Sequence, residues 1–204
     1  MESLVRLVVA RSSNEYRPTH IAYGYLFFTL VPITIGPVLI RLLGSWVDAW
    51  VGLGRLLPED ASLALAISCF VLGIPWLVWA AVLDWTKGSG TPLPWFPPKQ
   101  LLVTGPYRYI RNPQTFGAVF WWCGWALISN SPAGLVVGVG AIPTVVCCYI
   151  RLVEERELAR RFGDAYTEYK ATTQFILPGV KRTRVPSDQA RRSVAIGRQS
   201  ADSH

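Results

Sequence analysis

From Gln114 to Ile150 the chain carries no charged side chain. Such a run is far longer than the roughly 20 apolar residues a helix needs to cross the hydrocarbon core of a bilayer. Its middle holds Ser129-Asn130-Ser131-Pro132, consecutive turn formers. The run therefore reads as a tight helical hairpin, two spans joined at that turn. Ala61–Leu83 is another uncharged run of span length, and His20–Leu43 is a third, interrupted inside by Arg41 and carrying Pro32 and Pro37. The expected fold is all-α and polytopic, with about four transmembrane helices. Composition points the same way. Only 16% of the 204 residues are charged, against about 25% in soluble domains, too few to cover a soluble core built from such runs.

The distribution of Lys and Arg sets the expected topology. Arg6, Arg11 and Arg17 precede the first span, and only Arg55 lies in the first loop, beside Asp48, Glu59 and Asp60. Lys87, Lys99, Arg108 and Arg111 lie in the second loop, the hairpin turn has none, and the segment from Arg151 onward has eleven. Both termini and the second loop are expected on the cytoplasmic side. The positive-inside pattern accounts for the net charge of +7, so nucleic acid is not an expected partner. The lipid bilayer is.

This topology brings two polar clusters to one membrane face. Thr104-Gly105-Pro106-Tyr107-Arg108-Tyr109-Ile110-Arg111-Asn112-Pro113 precedes the uncharged run, and Arg151 with Glu154-Glu155 follows it. Asn112 is placed as an N-cap and Pro113 as the first helical residue. A helix N-terminus beside Arg108 and Arg111 suits a carboxylate or phosphate. Glu154 and Glu155 suit hydroxyls, an amine or a sulfonium, and Gly117 permits close approach by a ligand or a neighbouring helix. Blander readings stand beside these. The arginines can be headgroup anchors, and the acids can be a solvated face with i,i+4 pairs such as Glu157–Arg161. Trp121, Trp122 and Trp125 can line a lipid entrance or simply pack.

Beyond Arg151 the last membrane helix is expected to continue through Leu158 and Phe162 to a C-cap at Gly163, with a second short helix from Asp164 to Lys170 carrying Tyr166 and Tyr169 on one side. Gly88 to Pro98, rich in proline, reads as an ordered loop, Met1–Ala10 as a short interfacial helix, and Lys181–His204 as a disordered basic tail attracted to anionic lipid. Pro178-Gly179 closes the folded part, giving a domain over 1–180. Cys69, Cys123, Cys147 and Cys148 lie in apolar spans without metal-ligand spacing and read as packing residues. No metal is expected.

Gly105-Pro106-Tyr107-Arg108-Tyr109-Ile110-Arg111-Asn112-Pro113, then Gly117, Glu154-Glu155, Leu158, Phe162-Gly163, Tyr166 and Tyr169 together resemble the isoprenylcysteine carboxyl methyltransferase and phospholipid methyltransferase superfamily, over about residues 84–178. The resemblance implies an integral membrane methyltransferase using S-adenosylmethionine held in a helical cytoplasmic pocket of the C-terminal half, acting on a lipophilic methyl acceptor. A bacterial-type enzyme of the inner membrane is the expectation. It implies catalytic roles for Arg108, Arg111 and Glu155, and cofactor binding by Gly105, Tyr107, Asn112, Pro113, Thr115, Gly117 and Glu154. An amine or thiol acceptor would need a base, for which Glu155 is the nearest candidate. Thr115 stands where the family usually has Tyr, Val153 where bacterial relatives often have Tyr, and Asn112 where eukaryotic relatives have His. Thr115 puts cofactor affinity, the substrate and activity itself in question. Two other classes remain open: an NADPH-dependent membrane reductase of the steroid-reductase type, and a non-catalytic membrane relative.

Overall fold

The computed structural model describes residues 18–88 and 100–177, with side chains from residue 33 onward. The described residues are helical, without a β-strand; one isolated parallel bridge joins Ile110 to Gln174. Helix α1 spans Pro18–Val51 and α2 spans Glu59–Leu83, ending in a π-helical turn, Asp84–Gly88. A short 3-10 turn, Gly105–Arg108, leads into α3, Pro113–Ser129. The long α4, Pro132–Phe162, contains two π-helical turns, Val136–Ala141 and Ile150–Glu154. Helix α5 is Asp164–Thr172.

The hairpin forms where the turn residues predicted it. Asn130 ends α3 in the left-handed conformation, φ 48°, which Asn tolerates better than most residues. The Ser131 hydroxyl accepts from the Gly134 amide at 2.8 Å, and Pro132 follows as the first helical residue. Gly163, φ +53°, ends α4, and α5 begins at Asp164. One expectation shifts: α1 runs on to Val51, so the first loop is shorter than the stretch between the two apolar runs. The expected N-terminal interfacial helix, the loop at 89–98, the Pro178-Gly179 closure and the basic tail lie outside the described residues.

Two helices, Glu59–Lys87 and Pro132–Phe162, are long and apolar enough to cross a membrane. A soluble core helix would be mostly buried. Here only 17% and 22% of their most apolar windows are. Leu63, Ile67, Val71, Leu72, Val78 and Val82 on α2, and Val136 and Val145 on α4, face outward, a surface suited to lipid and not to water.

The interior is narrow and built on close helix approach. Ile40 of α1 and Trp122 and Ala126 of α3 form its centre, with Leu135, Val137, Ile142 and Val146 of α4 against them. Helices α2 and α3 meet at Gly73 and Gly117. A Cβ on Gly117 would stand 2.7 Å from the Gly73 carbonyl oxygen, and one on Gly73 would stand 2.7 Å from the Gly117 carbonyl oxygen. Small residues at such crossings let backbones pack where lipid offers no hydrophobic drive. The tryptophans pack as well. The Trp121 indole donates to the Ile33 carbonyl at 3.2 Å, and Trp121 and Trp125 stack edgewise on each other and around Phe70.

The end of the bundle at the hairpin turn is tied by polar bonds. The Asp48 carboxylate of α1 accepts from the Ser131 hydroxyl and, at 3.0 Å, from the Ala133 amide at the start of α4. Asn130 brackets Leu57, accepting from its amide at 3.0 Å and donating to its carbonyl at 2.8 Å. The opposite end carries the ionisable residues singled out in the sequence.

Candidate functional site

The 3-10 turn after the 89–99 stretch depends on Gly105. Its φ of +60° is a left-handed backbone, and a Cβ there would stand 3.2 Å from Leu83 Cδ2. Pro106 is fully buried, and the turn delivers Tyr107 inward while Arg108 stays exposed. The Tyr107 hydroxyl lies 2.8 and 2.9 Å from the two carboxylate oxygens of Asp84, and its carbonyl accepts from the Tyr169 hydroxyl at 2.7 Å. Burial, more than any neighbour, keeps the Tyr107 hydroxyl protonated well above the ordinary phenol range. The Asp84 carboxylate pushes the same way, and Glu154 and Tyr169 add to it.

Four residues on, Arg111 meets Glu155. Its Nη2 stands 2.9 Å from Glu155 Oε1, with both side chains nearly buried. Lys170 Nζ donates to the other carboxylate oxygen at 2.7 Å. Arg111 Nη1 donates to the Lys170 carbonyl at 2.7 Å and the Thr173 carbonyl at 3.1 Å, and its amide donates to the Gln174 carbonyl at 2.8 Å. Asn112 Nδ2 donates to the Phe175 carbonyl at 2.9 Å. The Arg111 and Arg151 guanidiniums lie over the Phe175 ring at 5.7 and 4.5 Å. Residues 170–175 thus form a strap across the start of α3. Despite the ion pair, Arg111 Nε and Glu155 Oε1 are buried without a hydrogen-bond partner of suitable geometry.

The acidic side comes from the end of α4. Glu155 and Glu157 are buried, so this is not the solvated face that charge alone allowed. The Glu157–Arg161 pair forms at 2.6 Å, in a buried setting. Glu154, half-buried, makes no ion pair or side-chain hydrogen bond among the described residues. Tyr166 and Tyr169 of α5 are both buried on the side expected of them. Burial is the main cause that raises both phenols. Glu155 adds to the rise for Tyr166, Tyr166 adds to it for Tyr169, and Arg111 opposes it for both.

Tyr107, Arg111, Asn112, Glu154 and Glu155 therefore come to one end of the bundle. Arg108 lies at the same turn but faces outward. Pro113 is fully buried as the first residue of α3. Thr115 is buried two residues further on, and Gly117 is turned to Gly73 of α2. Asn112 stands at the N-cap position of α3 without capping it by its side chain. Its amide reaches the strap instead, and only its carbonyl accepts, from Phe116 N at 3.0 Å. The sequence reading missed Asp84, Gln114 and Lys170. Asp84 had a signal, as the first charge after the uncharged run of α2. Gln114 and Lys170 had none, because their partners are remote in the chain. Among the described residues, no group of three or more His, Cys, Asp or Glu could hold a metal ion.

Outward-facing apolar helices closed at one end by buried ionisable groups define a membrane protein with its polar chemistry at one face. The family model for phospholipid methyltransferases matches residues 61–165, just over half of the chain, and the protein belongs to that family. No curated protein matches it. Membership places it among the membrane methyltransferases.

Proposed function

We propose that the protein is an S-adenosylmethionine-dependent methyltransferase of the inner membrane, with four transmembrane helices and both termini cytoplasmic. It transfers a methyl group to a lipophilic carboxylate, amine or thiol acceptor. The observation that carries this reading is the convergence of Arg111 and Glu155 with the partner-free Glu154 at one end of the bundle, in a chain of the phospholipid methyltransferase family.

The residues present fit such a cofactor. Arg111 Nε is a buried polar atom without a hydrogen-bond partner among the described residues. The start of α3 has no side-chain cap, which leaves its first amides for an anion. Arg108 and the start of α3 would take the cofactor carboxylate. Glu154 would take hydroxyls or positive charge. When bound, S-adenosylmethionine supplies an electrophilic methyl group. The chain holds Glu155 between Arg111 and Lys170, so its charge is already balanced and its role is to organise the site. Glu154 has no such partner and is the carboxylate available to accept a proton from an amine or thiol. Buried Tyr166 and Tyr169, with half-buried Tyr107, exclude water behind these groups.

Titrating purified, detergent-solubilised protein with S-adenosylmethionine and with NADPH tests the reading. Binding of the first and not the second is expected, and Glu154→Gln, Arg111→Ala and Glu155→Ala should each weaken it about tenfold or more. Binding of NADPH alone, or of neither, overturns the proposal.

A further inference from the structure

Asp84 is 6% exposed and ends the uncharged stretch of α2. Its carboxylate accepts the Tyr107 hydroxyl at 2.8 and 2.9 Å and Gln114 Nε2 at 2.6 Å. Both donors are neutral, and no Lys or Arg pairs with it among the described residues. A buried carboxylate without a counter-ion is costly, and ionisable residues within membrane helices are rare and functional by default. The two donors come from different elements. Tyr107 belongs to the Gly105–Arg108 turn and Gln114 to the first turn of α3. One side chain of α2 therefore grips both segments that flank Arg108 and Arg111. The Tyr107 carbonyl in turn accepts the Tyr169 hydroxyl, which extends the connection to α5 and the strap.

We infer that Asp84 is a positioning residue for the cofactor site: by holding Tyr107 and Gln114 it fixes the Gly-Pro-Tyr-Arg turn and the start of α3 against the end of α2. The role rests on the cofactor reading above and acts through Tyr107 and Gln114. Asp48 provides an internal comparison, a carboxylate that fastens the opposite end of the bundle through Ser131 and Ala133.

The experiment measures S-adenosylhomocysteine affinity of the full-length protein in detergent by calorimetry, with melting temperature recorded in parallel. Asp84→Ala should weaken binding about tenfold or more, while Asp84→Asn, which keeps an acceptor for Tyr107, should stay within about threefold of wild type. The double variant Asp84→Ala/Tyr107→Phe should lose less than the product of the two single losses, since residues in one hydrogen-bond network are not additive. Asp48→Ala should lower the melting temperature and leave affinity unchanged. Wild-type affinity in Asp84→Ala, an equal loss in Asp48→Ala, or losses of Asp84→Ala and Tyr107→Phe that multiply would each overturn the inference. If Asp84→Ala does not fold, Tyr107→Phe decides: wild-type affinity there overturns it, and a loss matching the tenfold expectation supports it. Failure of the wild type itself to bind would bring down the cofactor reading and the positioning role together. A wild type that binds while its variants are unaffected brings down only the second.

Discussion

Arg111 serves Glu155 and the carbonyls of Lys170 and Thr173 with one guanidinium. A planar fork can do this and an ammonium cannot. Arg111→Ala would leave Glu155 buried with only Lys170, which is itself half-exposed. Breaking a buried pair by removing one partner costs about 3 kcal/mol or more. Thermal melts in detergent should show that loss, and Arg111→Lys should recover only part of it.

The buried tyrosines give a second expectation for single residues. An unfolded phenol ionises near pH 10, or about that value, whereas Tyr107, Tyr166 and Tyr169 keep their protons beyond it when folded. Above that pH the folded chain binds more protons than the unfolded chain, so stability falls as pH rises further. Below it their contribution is complete. Ultraviolet titration should show these three ionising only together with alkaline unfolding; normal ionisation of all tyrosines in the folded state would contradict the burial seen here.

At the level of elements, the contact between α2 and α3 is governed by Gly73 and Gly117. Gly117→Leu would force backbone apart at the crossing and should destabilise by about 1–3 kcal/mol, the range for overpacking. Retention of wild-type melting behaviour would show that the crossing is looser than described. The helices themselves were legible in the sequence for local reasons. Ser129-Asn130-Ser131-Pro132 encodes its own turn, and Phe162-Gly163 encodes its own stop. The strap was not legible. Arg111 and Asn112 reach it through the carbonyls of Lys170, Thr173 and Phe175, and every residue offers a carbonyl. The same reason hid the side-chain preference of Asn112, which looked like a cap and became a tie.

Across the whole molecule, the two ends are built for different tasks. At one end Asp48, Asn130 and Ser131 tie the end of α1 and the loop before α2 to the turn between α3 and α4, through neutral or singly charged groups. At the other, residues 84, 107–114, 154–157 and 166–175 meet from separate parts of the chain. Ending the protein before Lys170 would remove a cation from Glu155 and four carbonyl anchors from Arg111 and Asn112. Such a truncation should abolish S-adenosylmethionine binding while the membrane helices remain inserted, measured by calorimetry beside carbonate extraction of membranes. Sequence pattern reached the meeting of Arg111 with the Glu154-Glu155 end because charge bias alone assigns a face. It could not say that Arg111 and Glu155 would pair and leave Glu154 without an ion pair among the described residues.

The π-helical turn at Ile150–Glu154 lies immediately before Glu155. A wider turn takes one more residue to close, so it changes the phase of everything downstream. Each α-helical residue advances the chain by about 100°. Above the turn, apolar Val136 and Val145 of α4 face outward; below it, Glu155 and Glu157 point inward and Arg156 and Arg160 outward. The offset lets one unbroken helix carry an apolar exterior before the turn and a buried acidic side after it. An ordinary α-helical turn over the same residues would swing the acids toward the surface by about that same 100°. A helix wound regularly through Ile150–Glu154 would keep the same sequence and the same length in residues, yet lose the meeting of Glu155 with Arg111.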